Sequence, residues 1–139
     1  MISHLLLAVD VGTSSEATRV AGDLAEVSGA TVEVFHSDEL DSNVDTAIWL
    51  DDDTEPREAV GNAVAELRTR GVTTRVVTTR TTSTKALAQA VLHEGLNSTT
   101  DILVLGLPKV HHLGRLFVGS VAADVAARTT IPLLLVPEG

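Results

Sequence analysis

Leu5-Leu6-Leu7-Ala8-Val9-Asp10-Val11-Gly12-Thr13-Ser14-Ser15-Glu16-Ala17 begins as an unbroken apolar run and ends as a helix start. A run that is continuous, not alternating, predicts a strand buried on both faces. Thr13 and Glu16 stand at capping-box spacing, where each can satisfy one of the helix's unpaired N–H groups. Ala17, Val20, Ala21, Leu24 and Ala25 then fall on one apolar helical stripe. Gly29 supplies the stop, and Thr31 to Phe35 reads as a second strand. A buried strand, a helix and another strand in this order are the opening of a parallel sheet.

The alternation continues outward from there. Pro56 suits the first turn of a second helix, whose stripe is Val60, Ala63, Val64 and Leu67 and whose end is Gly71. Val72 to Thr79 is a third strand, rich in Thr and Arg as a sheet edge tends to be. Thr81 to Thr84 caps a third helix marked by Ala86, Leu87, Ala90 and Val91 and closed near Gly95. Ile102 to Leu105 is a fourth strand, Val121, Ala122, Val125 and Ala126 mark a fourth helix, and Ile131 to Val136 is a fifth strand. The expected fold class is α/β: one doubly wound, five-stranded parallel sheet, Rossmann-like, with helices on both faces. Residues 1–139 form one domain in this reading.

Composition narrows the function. Hydrophobic residues at 44% and charged residues at 21% are globular usage and exclude intrinsic disorder. Trp49, Phe35 and Phe117 are the aromatics, so Val, Leu, Ile and Ala must build the core. The absence of Cys excludes a disulfide scaffold, a thiolate zinc site and a cysteine nucleophile. With 19 acidic and 10 basic residues the net charge is -9, which repels phosphate backbones, so no nucleic-acid partner is expected. No apolar run reaches the roughly 18 residues of a membrane span, and the start of the chain lacks a basic n-region. The expectation is a cytoplasmic protein without a membrane partner. Asp51-Asp52-Asp53 reads as a solvated loop, because no further cation-ligand spacing follows, with Ile48 and Trp49 pinning it to the body.

In such sheets ligands bind beyond the carboxyl ends of the strands, where the strand order reverses. The candidate loops are Asp10 to Thr13, after strand one, and Gly106 to Ser120, after strand four. Gly119 and Ser120 directly precede the fourth helix, whose unpaired N–H groups and dipole favour an anion. A turn glycine before an N-cap serine is the plainer reading of that spacing. His111 and His112 are adjacent and cannot both aim at one ion, and no third ligand lies near, so no metal site is assigned. His36 and His93 read as structural or surface residues. Ser-His-Asp sets, nucleophile elbows, HExxH, P-loop and Gly-x-Gly-x-x-Gly patterns are all missing. No catalytic residue is assigned, and an enzyme is not expected.

These residues resemble the universal stress proteins of the UspA type. That family's nucleotide signature, Gly-x2-Gly-x9-Gly-[Ser/Thr], lies between the fourth strand and the fourth helix. Ile102 to Gly106 matches its entry, and Leu113-Gly114-Arg115-Leu116 with Gly119-Ser120-Val121 matches its second half. Ala8-Val9-Asp10 with Gly12, and the closing Pro132 to Pro137, fit as well. The resemblance implies strand order 3-2-1-4-5 and an adenine nucleotide, ATP, with Mg or Mn beside it. It implies that Asp10 contacts adenine, that Ala8 and Val9 line the base, and that Ser37 beside His36 closes over it. Gly106 and the Gly119-Ser120-Val121 turn would hold ribose and phosphates, with at most slow hydrolysis of the bound ATP. In that order the apolar run Ile131 to Val136 is an outer strand with unpaired backbone groups, so a homodimer through the fifth strand is expected, with pairing centred on Leu133 to Val136 because Pro132 lacks a donor. Lys109 departs from the pattern by replacing the second motif glycine. Its Cβ could bar the backbone's approach to phosphate, or its ammonium could reach the phosphates as a point charge. Two functions therefore stand side by side: a nucleotide-binding regulatory protein, favoured by Asp10, Gly106, Gly119 and Ser120, and a dimeric interaction module with a vestigial site, favoured by Lys109 and the histidines. A phosphoacceptor receiver is excluded, since Thr78-Thr79-Arg80 follows strand three and Pro137-Glu138-Gly139 follows strand five, where that chemistry needs an acid and a lysine.

Overall fold

The computed structural model describes residues 1–9, 15–37, 56–81, 83–107 and 120–138. Among them the chain runs β1 (His4–Ala8), α1 (Ser15–Ser28), β2 (Thr31–Ser37), α2 (Pro56–Thr69), β3 (Thr74–Thr79), α3 (Thr84–Asn97), β4 (Ile102–Leu107), α4 (Ser120–Arg128) and β5 (Leu133–Pro137). The expectations for Thr13, for Ile48, Trp49 and Asp51 to Asp53, and for His111 and His112 lie outside the described residues. All neighbouring strands are parallel, in the order β3-β2-β1-β4-β5. The strand order therefore reverses between β1 and β4.

Partners in register share a face of the sheet, which divides the core in two. Leu5, Leu7, Val9, Val32, Val34, Val104 and Val136 pack with Ala17, Ala21 and Ala25 of α1 and with Ala59, Ala63 and Leu67 of α2. Leu6, Phe35, Leu103 and Leu105 pack on the other face with Ala88 and Val91 of α3 and Ala122 and Val125 of α4. Alanine faces bring the helices close to branched aliphatic strands, so dense packing is reached with few aromatics. Leu5, Leu6 and Leu7 are wholly buried, and burying each contributes about 2 kcal/mol.

The helix ends show where sequence signals held and where they failed. Gly29 and Gly71 both adopt φ of +79°, the left-handed stop expected of them. Ser83 caps α3 by accepting the Ala86 N–H at 3.0 Å. Gly95 does not end that helix, which continues to Asn97 with Ser98 as its cap. A Cβ on Gly95 would come within 3.0 Å of Ile131 Cδ1 and 3.1 Å of Leu103 Cδ2. The glycine is there for close approach, not for termination. β3 starts two residues later than the sequence suggests, and β5 starts at Leu133, with the Pro132 carbonyl accepting the Leu103 N–H at 2.8 Å.

Arg70, just beyond α2, clasps α1. Its guanidinium reaches Glu26 and Asp23 and donates to the Arg19 carbonyl. At the amino end of the sheet Asp101 Oδ2 accepts the N–H groups of Ser3 and His4 at 2.8 and 3.0 Å, which fixes the start of β1. Those donors hold its carboxyl below the usual range. Beside it, Glu33 of β2 is fully buried, and its Oε1 lies 3.2 Å from His4 Nε2. Reading Thr31 to Phe35 as a strand gave no hint of this pairing. Glu33 Oε2 is buried and finds no hydrogen-bond donor unless Glu94 of α3, beside Glu33, carries a proton. The hydrogen bond to Glu33, then burial, pushes the Glu94 carboxyl up to about 7.

Candidate functional site

Ala8 of β1 lies in register with Leu105 of β4 on one side and Phe35 of β2 on the other. The carboxyl ends of β1 and β4 are thus neighbours, while α1 and α4, which follow them, pack on opposite faces. That divergence opens the crevice expected at a topological switch point.

The expected site residues that are described all sit at this edge of the sheet. Ala8 ends β1, and Val9, nearly buried, donates its N–H to the Phe35 carbonyl at 2.9 Å. Ser37 ends β2, where its Oγ lies 2.6 Å from Thr81 Oγ1, tying β2 to the segment after β3. Gly106, expected as the first loop residue, is instead inside β4, in register with Val136 of β5. It stands one residue past Leu105, the last β4 residue in register with β1. Ser120 opens α4, and Val121 packs partly buried beside the Phe35 and Leu105 cluster. Val121 is therefore a helix residue with an anchored side chain and not part of a turn. Asp10, Lys109 and Gly119 lie outside the described residues. His36 is buried in β2, and His93 is exposed on α3 with its Nε2 3.2 Å from Asn97 Nδ2.

Two helix N-termini border the crevice. At α1 the N–H groups of Glu16 and Ala17 donate to Glu138 Oε1 and Oε2, both at 3.0 Å. The Glu16 N–H, which a capping box would pair with Thr13, is thus taken by the tail, while the Glu16 carboxylate pairs with Arg19. Glu138 is itself held by its N–H, which donates to the Leu107 carbonyl at 2.8 Å. At α4 the first-turn N–H groups have no intrahelical acceptor, and the helix dipole favours negative charge there. Sequence reasoning missed Glu138, because an acid after the last strand signals nothing until β5 is known to lie beside β4. Among the described residues no cluster of three acidic or histidine side chains could hold a metal ion.

An open parallel sheet in the order 3-2-1-4-5, with its crevice between β1 and β4, defines a Rossmann-like α/β protein. The profile of the Universal stress protein family matches residues 1–137, and the chain belongs to that family. A universal stress protein from Archaeoglobus fulgidus is similar at 25% identity and TM-score 0.72, covering 97% of this chain and 98% of that one. A universal stress protein in complex with cAMP shares the fold at 21% identity and TM-score 0.72, covering 99% and 98%. One from Archaeoglobus fulgidus in complex with dAMP does so at 20% identity and TM-score 0.66, covering 97% and 98%. Comparison with curated proteins gave no match. No helix among the described residues is long and apolar enough to cross a membrane.

Proposed function

We propose that this protein is a cytoplasmic, non-enzymatic regulator that holds an adenine nucleotide, ATP, in the crevice between β1 and β4. The observation that carries the reading is the adjacency of Ala8 and Leu105 at a switch point beside which α4 begins at Ser120. The two solved relatives bound to cAMP and dAMP support adenine as the base. The described rim fits such a ligand: Ala8 and Gly106 add little bulk, and the Ser37–Thr81 pair offers hydroxyls beside the base position. In this reading Asp10 meets the adenine, and Ser120, behind Gly119, meets the phosphates. Mg or Mn would accompany the phosphates and be held by them, since no cluster of protein ligands stands among the described residues.

β5 favours a second property, a homodimer. It is an edge strand, and Leu133, Leu134 and Leu135 are each only partly buried in the single chain. Pairing two such edges about a two-fold axis would cover both.

Isothermal titration with ATP tests the nucleotide reading. Binding in the micromolar range or weaker is expected, and Gly119→Val should abolish it by blocking the phosphate's approach. Lys109→Gly separates the two roles open to that residue: weaker binding means the ammonium assists, and stronger binding means the side chain obstructs. Absence of heat for the parent protein at high ATP would leave the dimeric interaction module as the function.

A further inference from the structure

We propose that the outer edge of β3 is a docking edge for an acidic polypeptide segment, which extends the sheet by one strand. β3 closes the sheet on the side away from β5. The Thr73 carbonyl accepts the Val32 N–H at 2.9 Å, so residues of odd number turn their backbone groups toward β2. The N–H and C=O groups of Thr74, Val76 and Thr78 therefore face outward, and none has a backbone partner among the described residues. Val76 stands 45% exposed in the middle of this row.

Charge selects the occupant. Although the chain carries -9 overall, residues 67–93 contain Arg68, Arg70, Arg75, Arg80 and Lys85 and no Asp or Glu. Arg70 is engaged with Asp23 and Glu26 of α1. Arg68, Arg75, Arg80 and Lys85 are exposed and form no ion pair among the described residues. Arg75 lies within β3, and Arg80 directly follows it. A second copy would bring its own arginines to this edge and crowd like charges together. A nucleic acid has no peptide groups to complete a ladder, and β3 offers no aromatic ring on which a base could stack. An extended acidic segment satisfies both features. Its main chain pairs with Thr74, Val76 and Thr78, and its carboxylates meet the arginines. β2 separates this edge from β1 and the crevice, so the proposal is independent of the nucleotide reading.

A capped peptide of alternating Glu and Val, titrated into isotopically labelled protein and followed by amide chemical shifts, tests this. Saturable shifts are expected at Thr74, Val76 and Thr78, and added salt should weaken the binding. The matching peptide of alternating Lys and Val should leave these amides unmoved. Arg75→Gln combined with Arg80→Gln should weaken binding of the acidic peptide about tenfold. Val76→Pro deletes an outward donor, leaves the bonds to β2 in place and should abolish binding. If the proline disturbs the fold, the arginine variant still decides the matter. No saturable shift in the parent, or equal binding by the parent and a natively dispersed variant, would overturn the proposal. An equal response to the basic peptide or to single-stranded oligothymidine would overturn it too. Concentration-dependent shifts along β3 without peptide would overturn it in favour of a second copy of the chain.

Discussion

His4 Nε2 donates across 3.2 Å to Glu33 Oε1, so β1 and β2 are joined through a carboxylate that no solvent reaches. Two further groups complete this polar cluster at the sheet's amino end. Glu94 supplies a proton toward Glu33 from α3, and Asp101 anchors the strand that carries His4. Arg75 of β3 adds positive charge nearby. The cluster lies at the opposite end of the strands from the crevice, so it stabilises the fold without touching a ligand there.

Stability should respond to pH through this cluster. Glu94 binds its proton more tightly when folded, with its carboxyl raised from 4.5 to about 7. Its contribution is therefore fully present below 4.5 and lost as pH rises to about 7. His4 works in the other direction. Burial, then Arg75, lowers it from 6.5, so its contribution is present above 6.5 and lost as pH falls through the lowered value. Glu94→Gln donates an N–H to Glu33 at every pH. Urea midpoints should fall between about pH 5 and about pH 8 for the parent and fall less for the variant. Equal pH slopes for the two proteins would show that Glu94 and Glu33 share no proton.

Gly95 marks a limit of packing. Gly95→Val places a branched side chain where even a Cβ comes within 3.0 Å of Ile131 and 3.1 Å of the fully buried Leu103. A loss of about 2 kcal/mol is expected, read as a lowered denaturation midpoint with an unchanged slope. A variant as stable as the parent would mean that α3 can lift from β4 at no cost.

Local signals in the sequence announced most of the sheet. The unbroken apolar runs at Leu5 and Ile102 and the glycines at 29 and 71 appear as read, because each acts within a few residues. Gly95 was misread as a helix end because a glycine's neighbours across the core are not written beside it. Glu33 and Glu138 were invisible for the same reason. One is paired with His4 across strands, and the other reaches α1 from 121 and 122 positions away in the chain. Of the site, its place in the topology was legible, while the occupied end of α1 was not.

The edge of β5 gives a directional test of the dimer. The Pro132 carbonyl and the Glu138 N–H both bond to β4, so residues of even number turn inward and the N–H groups of Leu133 and Leu135 face outward. Light scattering should return twice the chain mass for the parent. Leu135→Pro removes an outward donor, spares the ladder to β4, and should yield monomer. A parent protein that stays monomeric at high concentration would contradict pairing through this edge.

An adenine nucleotide held between β1 and β4 is tested most directly by an amide chemical-shift titration with ATP. Saturable shifts are expected at Ala8, Val9, Gly106, Ser120 and Val121, with His4, Glu33 and Glu94 at the far end of the sheet unmoved. Shifts confined to that far end or to the β5 edge, or no shift anywhere at high ATP, would contradict it.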